Sequence, residues 1–470
     1  MSAFEFAARD AATAAVDSAA IEALEQDLRG TVLLPASAGY DEARHIWNGM
    51  VDRRPAMIVR CAGAADVATA VNFGRERDLL IAVKGGGHNV AGNAVCDGGL
   101  MIDLSAMREV RADPEQRRAR AGGGATWGDF DAETQVFGLA TTGGLISATG
   151  VAGLTLGGGI GWLSRSYGLA CDNLVSVDVV TAAGGRVRAS AEENADLFWG
   201  LKGGSGNFGI ATSFEFRLHP VGPLVFAGMT LYPLDAARDM LIWFRDFMQQ
   251  APDALGGLAG FVTAPDGTPA FALIGVYCGE PSQGEAVLKP LREARRPLLD
   301  TFAPSPYRKI QTLFDASSPP GLRYYWKSSF LDSLPEEAVA VAVGRAREFP
   351  SPNCKIFVEF LGGAVSRIPR EDAVFDHRDS PYNLLIIGGW DDPARDDICR
   401  AWVRQTWQAM RPFETEGVYV NYLGTESDEG ADRLAAAYGP GKYDRLVALK
   451  RKYDPANLFR MNQNIPPGAG

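Results

Sequence analysis

The feature that most constrains the fold is a continuous apolar run that leads directly into three glycines and a histidine. Residues 79–83 are all apolar and are followed by Lys84-Gly85-Gly86-Gly87-His88-Asn89. A short apolar run that ends at a turn signal is typical of a buried strand. Glycine has no Cβ, so a ligand can lie directly on such a loop, and its consecutive N–H groups form a concavity that binds phosphate. The run therefore predicts a buried strand ending in an anion-binding loop with an imidazole at its edge.

A second glycine-containing stretch carries a thiol. It reads Tyr167-Gly168-Leu169-Ala170-Cys171-Asp172-Asn173, with the cysteine 83 positions after His88. Imidazole and thiolate groups are both competent nucleophiles. Beside a phosphate-binding loop, they predict a phosphate-bearing cofactor that becomes covalently attached.

Composition excludes several classes of function. The chain has 470 residues, of which 46% are hydrophobic and 22% charged, so two or three globular domains are expected. A net charge of −11 argues against binding to nucleic acid or to acidic membranes. The four histidines and six cysteines are scattered without a C-x-x-C pair, which makes a zinc site improbable.

The sequence also predicts a location in the cytoplasm. Residues 1–6 lack the basic region and apolar run of a secretory signal. No stretch approaches the ~20 apolar residues that span a bilayer. We therefore expect no membrane partner, and five of the cysteines then need no special role.

Hydrophobic periodicity divides the chain into segments. Helices are predicted over residues 10–29, 66–77, 234–249, 336–348, 396–410 and 443–453, and strands over residues 30–35, 56–60, 79–83, 175–181, 210–218, 270–277, 355–361 and 384–387. Residues 150–161 contain too many glycines for a stable helix. The segment 219–224 is typical of a domain boundary.

These motifs resemble the flavoprotein oxidases of the vanillyl-alcohol oxidase / p-cresol methylhydroxylase superfamily, and within it the berberine bridge enzyme-like group. The resemblance extends over most of the chain. It is strongest in residues 80–215 and in the terminal run that begins Asp454-Pro455-Ala456-Asn457 and includes Asn462. It implies an α+β fold with a two-lobed FAD-binding domain in residues 1–222. A substrate domain with an antiparallel sheet backed by helices is expected in residues 223–410, and residues 411–470 are expected to return to the FAD domain.

The resemblance also implies how FAD is held. The histidine that matches His88 bonds to the 8α-methyl of the flavin, and Cys171 is expected to bond to carbon 6. Further contacts to FAD are expected from Lys84, Gly85, Gly86, Gly87, Asn89, Val90, Gly92, Asn93, Gly144, Gly150, Gly153, Leu154, Gly157, Gly158, Gly161, Gly168, Asn173, Val177, Gly206, Gly209, Ile210, Asn421 and Asn462. Asn421 bonds either the flavin or the adjacent backbone. Asn462 either contacts the flavin or has a purely structural role.

The predicted proton acceptor is Tyr422. Tyr419-Val420-Asn421-Tyr422 resembles a strand of the family whose second tyrosine acts as base, and alternation would place Val420 and Tyr422 on one face. A tyrosine needs an activating neighbour, because its ordinary pKa is about 10. The alternative is an aromatic core residue.

Two positions bear on the substrate. Leu385 and Ile386 stand where several relatives have polar residues, so the wall of the site is expected to be apolar and unsuited to a strongly polar sugar. Glu359 interrupts the apolar strand 355–361. It is an additional base or a structural ion-pair partner, and the second role is favoured.

The resulting prediction is an FAD-dependent oxidoreductase that acts on an alcohol group of a bulky small molecule, such as a secondary metabolite, an aromatic compound or a sugar. Dioxygen is the expected electron acceptor and hydrogen peroxide the product. Amine oxidation, oxidative cyclisation and a dehydrogenase with poor oxygen reactivity remain open, because one fold hosts many chemistries. A flavin-loaded binding protein without turnover is the alternative outside enzymes.

Overall fold

The computed structural model describes residues 3–424, 431–439 and 441–468. A hairpin of β1 (Ala3–Ala7) and β2 (Thr13–Asp17) opens the chain, and a four-stranded sheet follows with the order β3-β4-β6-β5. Its strands are β3 (Thr31–Leu33), β4 (Met57–Arg60), β5 (Ile81–Lys84) and β6 (Leu100–Asp103). The last three run parallel, as expected where a helix connects β4 to β5.

A five-stranded antiparallel sheet forms a second layer, with the order β11-β10-β12-β8-β7. Its strands are β7 (Val110–Asp113), β8 (Arg118–Gly122), β10 (Leu174–Val180), β11 (Arg186–Ser190) and β12 (Ile210–Arg217), while β9 (Leu139–Ala140) pairs separately with β13 (His219–Pro220). The aromatic core beside this sheet includes Tyr419, Leu446 and Ile465. The C-terminal residues therefore pack onto this sheet.

The third layer is an eight-stranded antiparallel sheet in the order β17-β14-β16-β15-β20-β21-β19, with β18 on β14. The strands are β14 (Leu224–Pro233), β15 (Leu255–Thr263), β16 (Pro269–Tyr277), β17 (Leu299–Asp300), β18 (Ala303–Pro306), β19 (Arg323–Leu331), β20 (Lys355–Phe360) and β21 (Tyr382–Trp390).

Helices connect and cover these sheets within the described residues. In chain order they are α1 (Ser18–Asp27), α2 (Tyr40–Arg44), α3 (Ala64–Glu76), α4 (Trp127–Thr134), α5 (Val151–Leu156), α6 (Ser164–Tyr167), α7 (Ala195–Leu201), α8 (Ala237–Gln250), α9 (Pro281–Ala294), α10 (Tyr307–Gln311), α11 (Glu336–Ala346), α12 (Ala364–Arg367), α13 (Asp396–Met410), α14 (Ala431–Tyr438) and α15 (Lys442–Tyr453). None of these helices is long and apolar enough to cross a membrane.

Side-chain alternation gives the large sheet two different faces. Ile356 and Val358 of β20 pack in one core with helices α8, α11 and α13. Phe357 and Glu359, one position along, face the opposite side. Successive side chains of a strand point to opposite faces, so one surface of this sheet is covered by helices and the other is free to form a binding site. The α+β fold with a helix-backed antiparallel sheet is thereby confirmed.

Two local predictions are wrong. Residues 10–29 do not form one helix, because residues 13–17 pair with β1 and α1 begins only after Asp17, whose carboxylate accepts the N–H of Ala20. Residues 150–161 do contain a helix, α5. Its Val151 and Leu156 are buried in the aromatic core, and this packing offsets the poor helix propensity of glycine.

Candidate active site

A cavity lies where the glycine loops of the first two sheets face the eight-stranded sheet. The volume of this cavity is about 300 Å³. Its wall includes many of the predicted site residues: Gly85, Gly86, Gly87, His88, Asn89, Asn93, Gly150, Gly153, Leu154, Gly206, Gly209, Ile210, Asn421, Tyr422 and Asn462. Residues distant in sequence therefore meet at one site.

The remaining predicted contact residues lie behind this wall: Lys84, Val90, Gly92, Gly144, Gly157, Gly158, Gly161, Gly168, Cys171, Asn173 and Val177. Their contact with FAD stays a prediction, and several of them support the loops. Lys84 donates from Nζ to the carbonyl of Ala43 at 2.7 Å. A Cβ at Gly157 would lie 2.0 Å from Oδ1 of Asn421, so the glycine makes room for that amide.

Two glycine loops approach each other closely at the base of the cavity. A Cβ on Gly86 would lie 2.5 Å from the backbone N and Cα of Gly150. Gly87 has a φ of +66°, a left-handed conformation that L side chains rarely adopt. The loop after β5 therefore depends on glycine, both for its turn and for its contact with the loop before α5.

His88 projects from this loop into the cavity. Its ring stacks on Trp47 with centroids 4.3 Å apart, and Trp47 in turn stacks on Tyr324. The buried Nε2 has no hydrogen-bond partner among the described residues. Burial lowers the pKa of His88 from 6.5 to about 4, so the imidazole is neutral near pH 7. A neutral imidazole with a free nitrogen is the form that can act as a nucleophile.

Cys171 does not line the cavity, and the second covalent link stays a prediction. The residue lies in a 3-10 turn, Ala170–Asn173, and its side chain is fully buried in the core of the second layer. Burial, together with the negative charge of Asp172, raises the pKa of the thiol well above its usual value. Asp172 is itself paired with Arg378 at 2.7 Å. A protonated thiol behind the wall is unsuited to attack a bound cofactor.

Tyr419 and Asn421 organise the loop that follows α5. The hydroxyl oxygen of Tyr419 accepts the N–H of Gly159 at 2.8 Å and a second hydrogen bond from the Asn421 amide. Asn421 also donates to the carbonyl of Leu154 at 3.0 Å, which is the backbone role expected for it as an alternative. Residues Val420–Tyr422 form a 3-10 turn rather than the predicted strand, so the expected alternation does not apply.

Asn462 presents an acceptor to the cavity from the C-terminal segment. Its Nδ2 donates to the carbonyls of Gly206 and Phe459, while the buried Oδ1 has no partner among the described residues. Buried polar atoms are normally hydrogen-bonded. The free Oδ1 therefore suits a ligand that brings an N–H or O–H group.

Tyr422 and Glu359 form the most polar part of an otherwise apolar wall. The hydroxyl of Tyr422 donates to Oε1 of Glu359 at 2.9 Å, and the amide of Asn383 donates to Oε2 at 2.6 Å. The hydrogen bonds that Glu359 accepts within the described residues come from these two neutral groups, which favours the role of an additional base over that of an ion-pair partner; the role itself stays a prediction. Burial raises the pKa of Glu359 to about 7, although both hydrogen bonds oppose that shift. Burial and the adjacent carboxylate raise the pKa of Tyr422 well above 10.

The chemistry of the pair therefore differs from the prediction. A tyrosine that serves as a base needs a neighbour that favours its phenolate, and Glu359 has the opposite effect. A carboxyl group with a pKa of about 7 is, in contrast, well matched to proton transfer near neutral pH. Glu359 becomes the candidate proton acceptor, with Tyr422 as its hydrogen-bonded neighbour.

Several cavity residues were not predicted: Phe314, Trp326, Met461 and Gln463. They come from loops or from isolated aromatic positions, which carry no periodic signal. The apolar wall around Leu385 was predicted correctly, but it is Ile387 rather than Ile386 that faces the cavity. Position 386 lies on the helix-covered face because successive side chains alternate.

Comparison with known proteins points to flavin chemistry. Residues 55–190 match the family described as an FAD binding domain, and residues 418–466 match the family described as berberine and berberine like. The first match contains the glycine loop with His88, and the second contains Tyr422 and Asn462.

The relatives match over nearly the whole chain. An FAD-linked oxidoreductase of Dictyostelium discoideum is 32% identical, covering 94% of this chain and 96% of the relative. The (R)-6-hydroxynicotine oxidase of Paenarthrobacter nicotinovorans is 30% identical, with coverage of 94% and 97%. A crystal structure of 6-hydroxy-D-nicotine oxidase from Arthrobacter nicotinovorans superposes with a TM-score of 0.85 at 29% identity, covering 94% of this chain and 98% of that one.

Proposed function

Because this chain belongs to the berberine bridge enzyme-like family of FAD-linked oxidoreductases, we propose that it oxidises an alcohol group of a small, largely apolar molecule. The observation that carries this proposal is the hydrogen-bonded pair of Tyr422 and Glu359 in an apolar wall that faces the glycine loops. A proton acceptor and a cofactor-binding loop thus face the same space.

The residues on the glycine-loop side fit FAD. The loop of Gly85, Gly86 and Gly87 offers backbone N–H groups to a pyrophosphate. His88 and Asn462 each present a buried polar atom that lacks a partner within the described part of the chain. When bound, FAD supplies the acceptor for the hydride that leaves the substrate carbon.

A single covalent link, through His88, replaces the double link expected from the sequence. The six cysteines all lie within the described residues, and none of them lines the cavity. His88 is neutral and its Nε2 is free. The chain therefore has one nucleophile in position to tether FAD.

Glu359 and Tyr422 remove the hydroxyl proton together. As the substrate O–H bond breaks, Tyr422 takes that proton on its oxygen and passes its own hydrogen to Oε1 of Glu359. Tyr422 thus ends as a neutral phenol, which agrees with its raised pKa, and Glu359 ends protonated. The electron pair left on the substrate oxygen forms the new carbonyl as hydride departs.

The surroundings of this pair define the class of substrate. The cavity wall near Glu359 consists mainly of apolar side chains: Leu145, Ile160, Phe314, Trp326, Phe357 and Leu385. Ligand sites of this kind bind apolar or aromatic bodies and use a few polar groups for orientation. An aromatic or aliphatic alcohol suits this wall better than a sugar, whose hydroxyl groups would find few partners.

Dioxygen is the proposed electron acceptor, with hydrogen peroxide as the product. The chain is related to a protein named as an oxidase over nearly its full length. A dehydrogenase that reacts slowly with oxygen is the alternative. The rate at which the reduced enzyme consumes oxygen distinguishes the two.

An amine is the second candidate substrate. Within the described part of the chain, Glu359 is hydrogen-bonded only by neutral groups, so a protonated amine would supply the missing positive charge. One relative is an oxidase of (R)-6-hydroxynicotine, a nitrogen heterocycle. Glu359 would then bind the ammonium group before accepting its proton.

The test is anaerobic mixing of the flavin-loaded enzyme with matched alcohols and amines that share one apolar body. Bleaching of the flavin absorbance with the alcohol series supports the leading proposal, and bleaching with the amine series alone supports the second. Reduction by hydrophilic sugars but by neither series would contradict the substrate class.

A further inference from the structure

A second, much smaller cavity lies on the other side of Glu359. Its volume is about 20 Å³, which is enough space for one water molecule. Its wall includes Trp162, Arg165, Gly256, Leu258 and Glu359. Leu145, Ile160 and Glu359 belong to both cavities. Glu359 thus separates the substrate side from a small space between α6 and the eight-stranded sheet.

Trp162, one of the residues that line this cavity, carries an unused hydrogen-bond donor. Its indole Nε1 is buried and has no hydrogen-bond partner among the described residues. The ring stacks on Phe314, which fixes its orientation. A Cβ on Gly256 would lie 2.3 Å from the carbonyl oxygen of Trp162, so β15 can lie against this residue only because position 256 is glycine.

Glu359 has acceptor capacity left for a further donor. Each oxygen of the carboxylate accepts one hydrogen bond, from Tyr422 or from Asn383, whereas a carboxylate has about four lone-pair sites. A buried water normally makes two to four hydrogen bonds to polar groups that would otherwise be unsatisfied. The wall of the small cavity supplies both a donor without an acceptor and an acceptor with spare sites.

We propose that this cavity is a water site that tunes the proton acceptor, in which one water accepts the N–H of Trp162 and donates to the carboxylate of Glu359. This role rests on the proposed function of Glu359 as proton acceptor. A hydrogen bond to the ionised carboxylate favours that form, so the water keeps Glu359 able to accept the substrate proton at lower pH. When Glu359 has taken up that proton, its O–H donates to the same water, and no other group changes its protonation.

The position of the site explains why a separate water is useful. An apolar substrate that fills the main cavity excludes water from that side of Glu359. The second cavity allows the carboxylate to keep a hydrogen bond from water while the substrate is bound. Trp162 is therefore a positioning residue, which acts through the water and not on the substrate.

The charged and titratable groups around Glu359 are few. Tyr422 donates to it, Tyr419 lies close enough for its pKa to be raised by the carboxylate, and Asn383 of β21 is neutral. Arg165 of α6 faces the small cavity, but three of its N–H groups already donate to the carbonyls of Ala251, Leu255 and Leu361. Leu258, which pairs with Glu359 on β15, carries no charge.

The decisive variant is Trp162→Phe, which removes the indole N–H and keeps a stacked ring. A hydrogen bond from water favours the ionised carboxylate. Its loss should raise the pKa of Glu359 and move the acidic limb of the rate of flavin reduction upward by about 0.5 to 1 pH unit. Trp127→Phe is the matched control, because Nε1 of Trp127 is also buried without a partner but lines neither cavity. An acidic limb that stays in place in Trp162→Phe overturns the proposal.

A crystal structure of the holoenzyme gives an independent readout that needs no variant. An ordered water within hydrogen-bond distance of both Nε1 of Trp162 and the Glu359 carboxylate is expected, and a dry cavity in clear density overturns the site. Glu359→Gln distinguishes an error in the proposed proton acceptor from an error in the small cavity's role. If that variant is reduced at the normal rate, the proposed proton acceptor itself is wrong; if it is slow while Trp162→Phe is unchanged, only the water site is wrong.

Discussion

The hydroxyl of Tyr422 donates a hydrogen bond of 2.9 Å to Oε1 of Glu359, across 63 positions of sequence. Tyr422 belongs to the C-terminal segment that packs on the glycine-rich half of the molecule, and Glu359 belongs to β20 of the large sheet. The bond therefore joins the two sides of the cavity at the place where the substrate is expected to react. It also decides which of the two residues holds the proton.

Replacement of Glu359 by glutamine should slow flavin reduction by about 10²-fold or more, because positioned general bases contribute about that much. The shape and the bond to Tyr422 are largely retained. The measurement is the stopped-flow rate under anaerobic conditions. Asp131→Asn is the matched control, since Asp131 is another buried carboxyl group whose pKa burial raises to about 7, but it does not line the cavity. Equal rates in the two variants would remove Glu359 from the mechanism.

The rate of flavin reduction should depend on pH through Glu359. Its pKa is raised to about 7 by burial, and only the ionised form accepts a proton. Below pH 7 the rate should fall about tenfold per pH unit, and above pH 7 it should level off. A rate that is flat between pH 5 and 8 would show that no group with this pKa takes part.

Tyr422→Phe should reduce the rate by about 10²-fold and also displace the pH profile. The hydroxyl of Tyr422 lowers the pKa of Glu359 by hydrogen bonding to its carboxylate. Without that bond the pKa rises, so the ionised base appears only at higher pH and the acidic limb moves upward. Near-normal reduction with an unchanged limb would assign Tyr422 a packing role only, which is the alternative considered from the sequence.

Acid precipitation of two variants should distinguish the predicted attachment residues. In His88→Ala the flavin should pass into the supernatant, because the neutral imidazole is the nucleophile that reaches the cavity. In Cys171→Ala the yellow colour should stay with the pellet, because the thiol is buried behind the wall. Cys278→Ala, at another buried cysteine, controls for loss of packing. Flavin that stays with the pellet in His88→Ala would instead support the link through Cys171.

Much of the fold was predictable from local patterns. The alternation of residues 355–361 and the apolar run before Gly85 correspond to β20 and β5. The helix over residues 396–410 was predicted with the bounds that α13 has. Such segments are governed by periodicity and by turn chemistry, both of which can be read within one window of sequence.

The chemistry of the site was less predictable because it depends on distant partners. The bond between Tyr422 and Glu359 sets the protonation of both residues, yet neither local sequence indicates the other. Cys171 lies in a glycine-containing stretch like that of His88, but its neighbour Asp172 is held by Arg378, 206 positions away. The motif predicts a reactive thiol, whereas burial and Asp172 raise the pKa of that thiol well above its usual value.

The contact between Gly86 and Gly150 should make Gly86→Ala one of the most damaging single changes near the site. The new Cβ would lie 2.5 Å from backbone atoms of Gly150, which cannot move aside as a flexible side chain could. Overpacking of this kind costs about 1–3 kcal/mol in free energy of unfolding, and at this position it also displaces the loop that carries His88. The expected result is a lower melting temperature together with a reduced content of bound flavin.

Gly344→Ala is the matched control, and it should change the stability in the opposite direction. A Cβ at this position meets no atom within 4 Å on the exposed face of α11, and alanine should stabilise that helix by about 0.5–1 kcal/mol. A Gly86→Ala variant with wild-type flavin content and melting temperature would show that the two loops can separate without loss of the binding site.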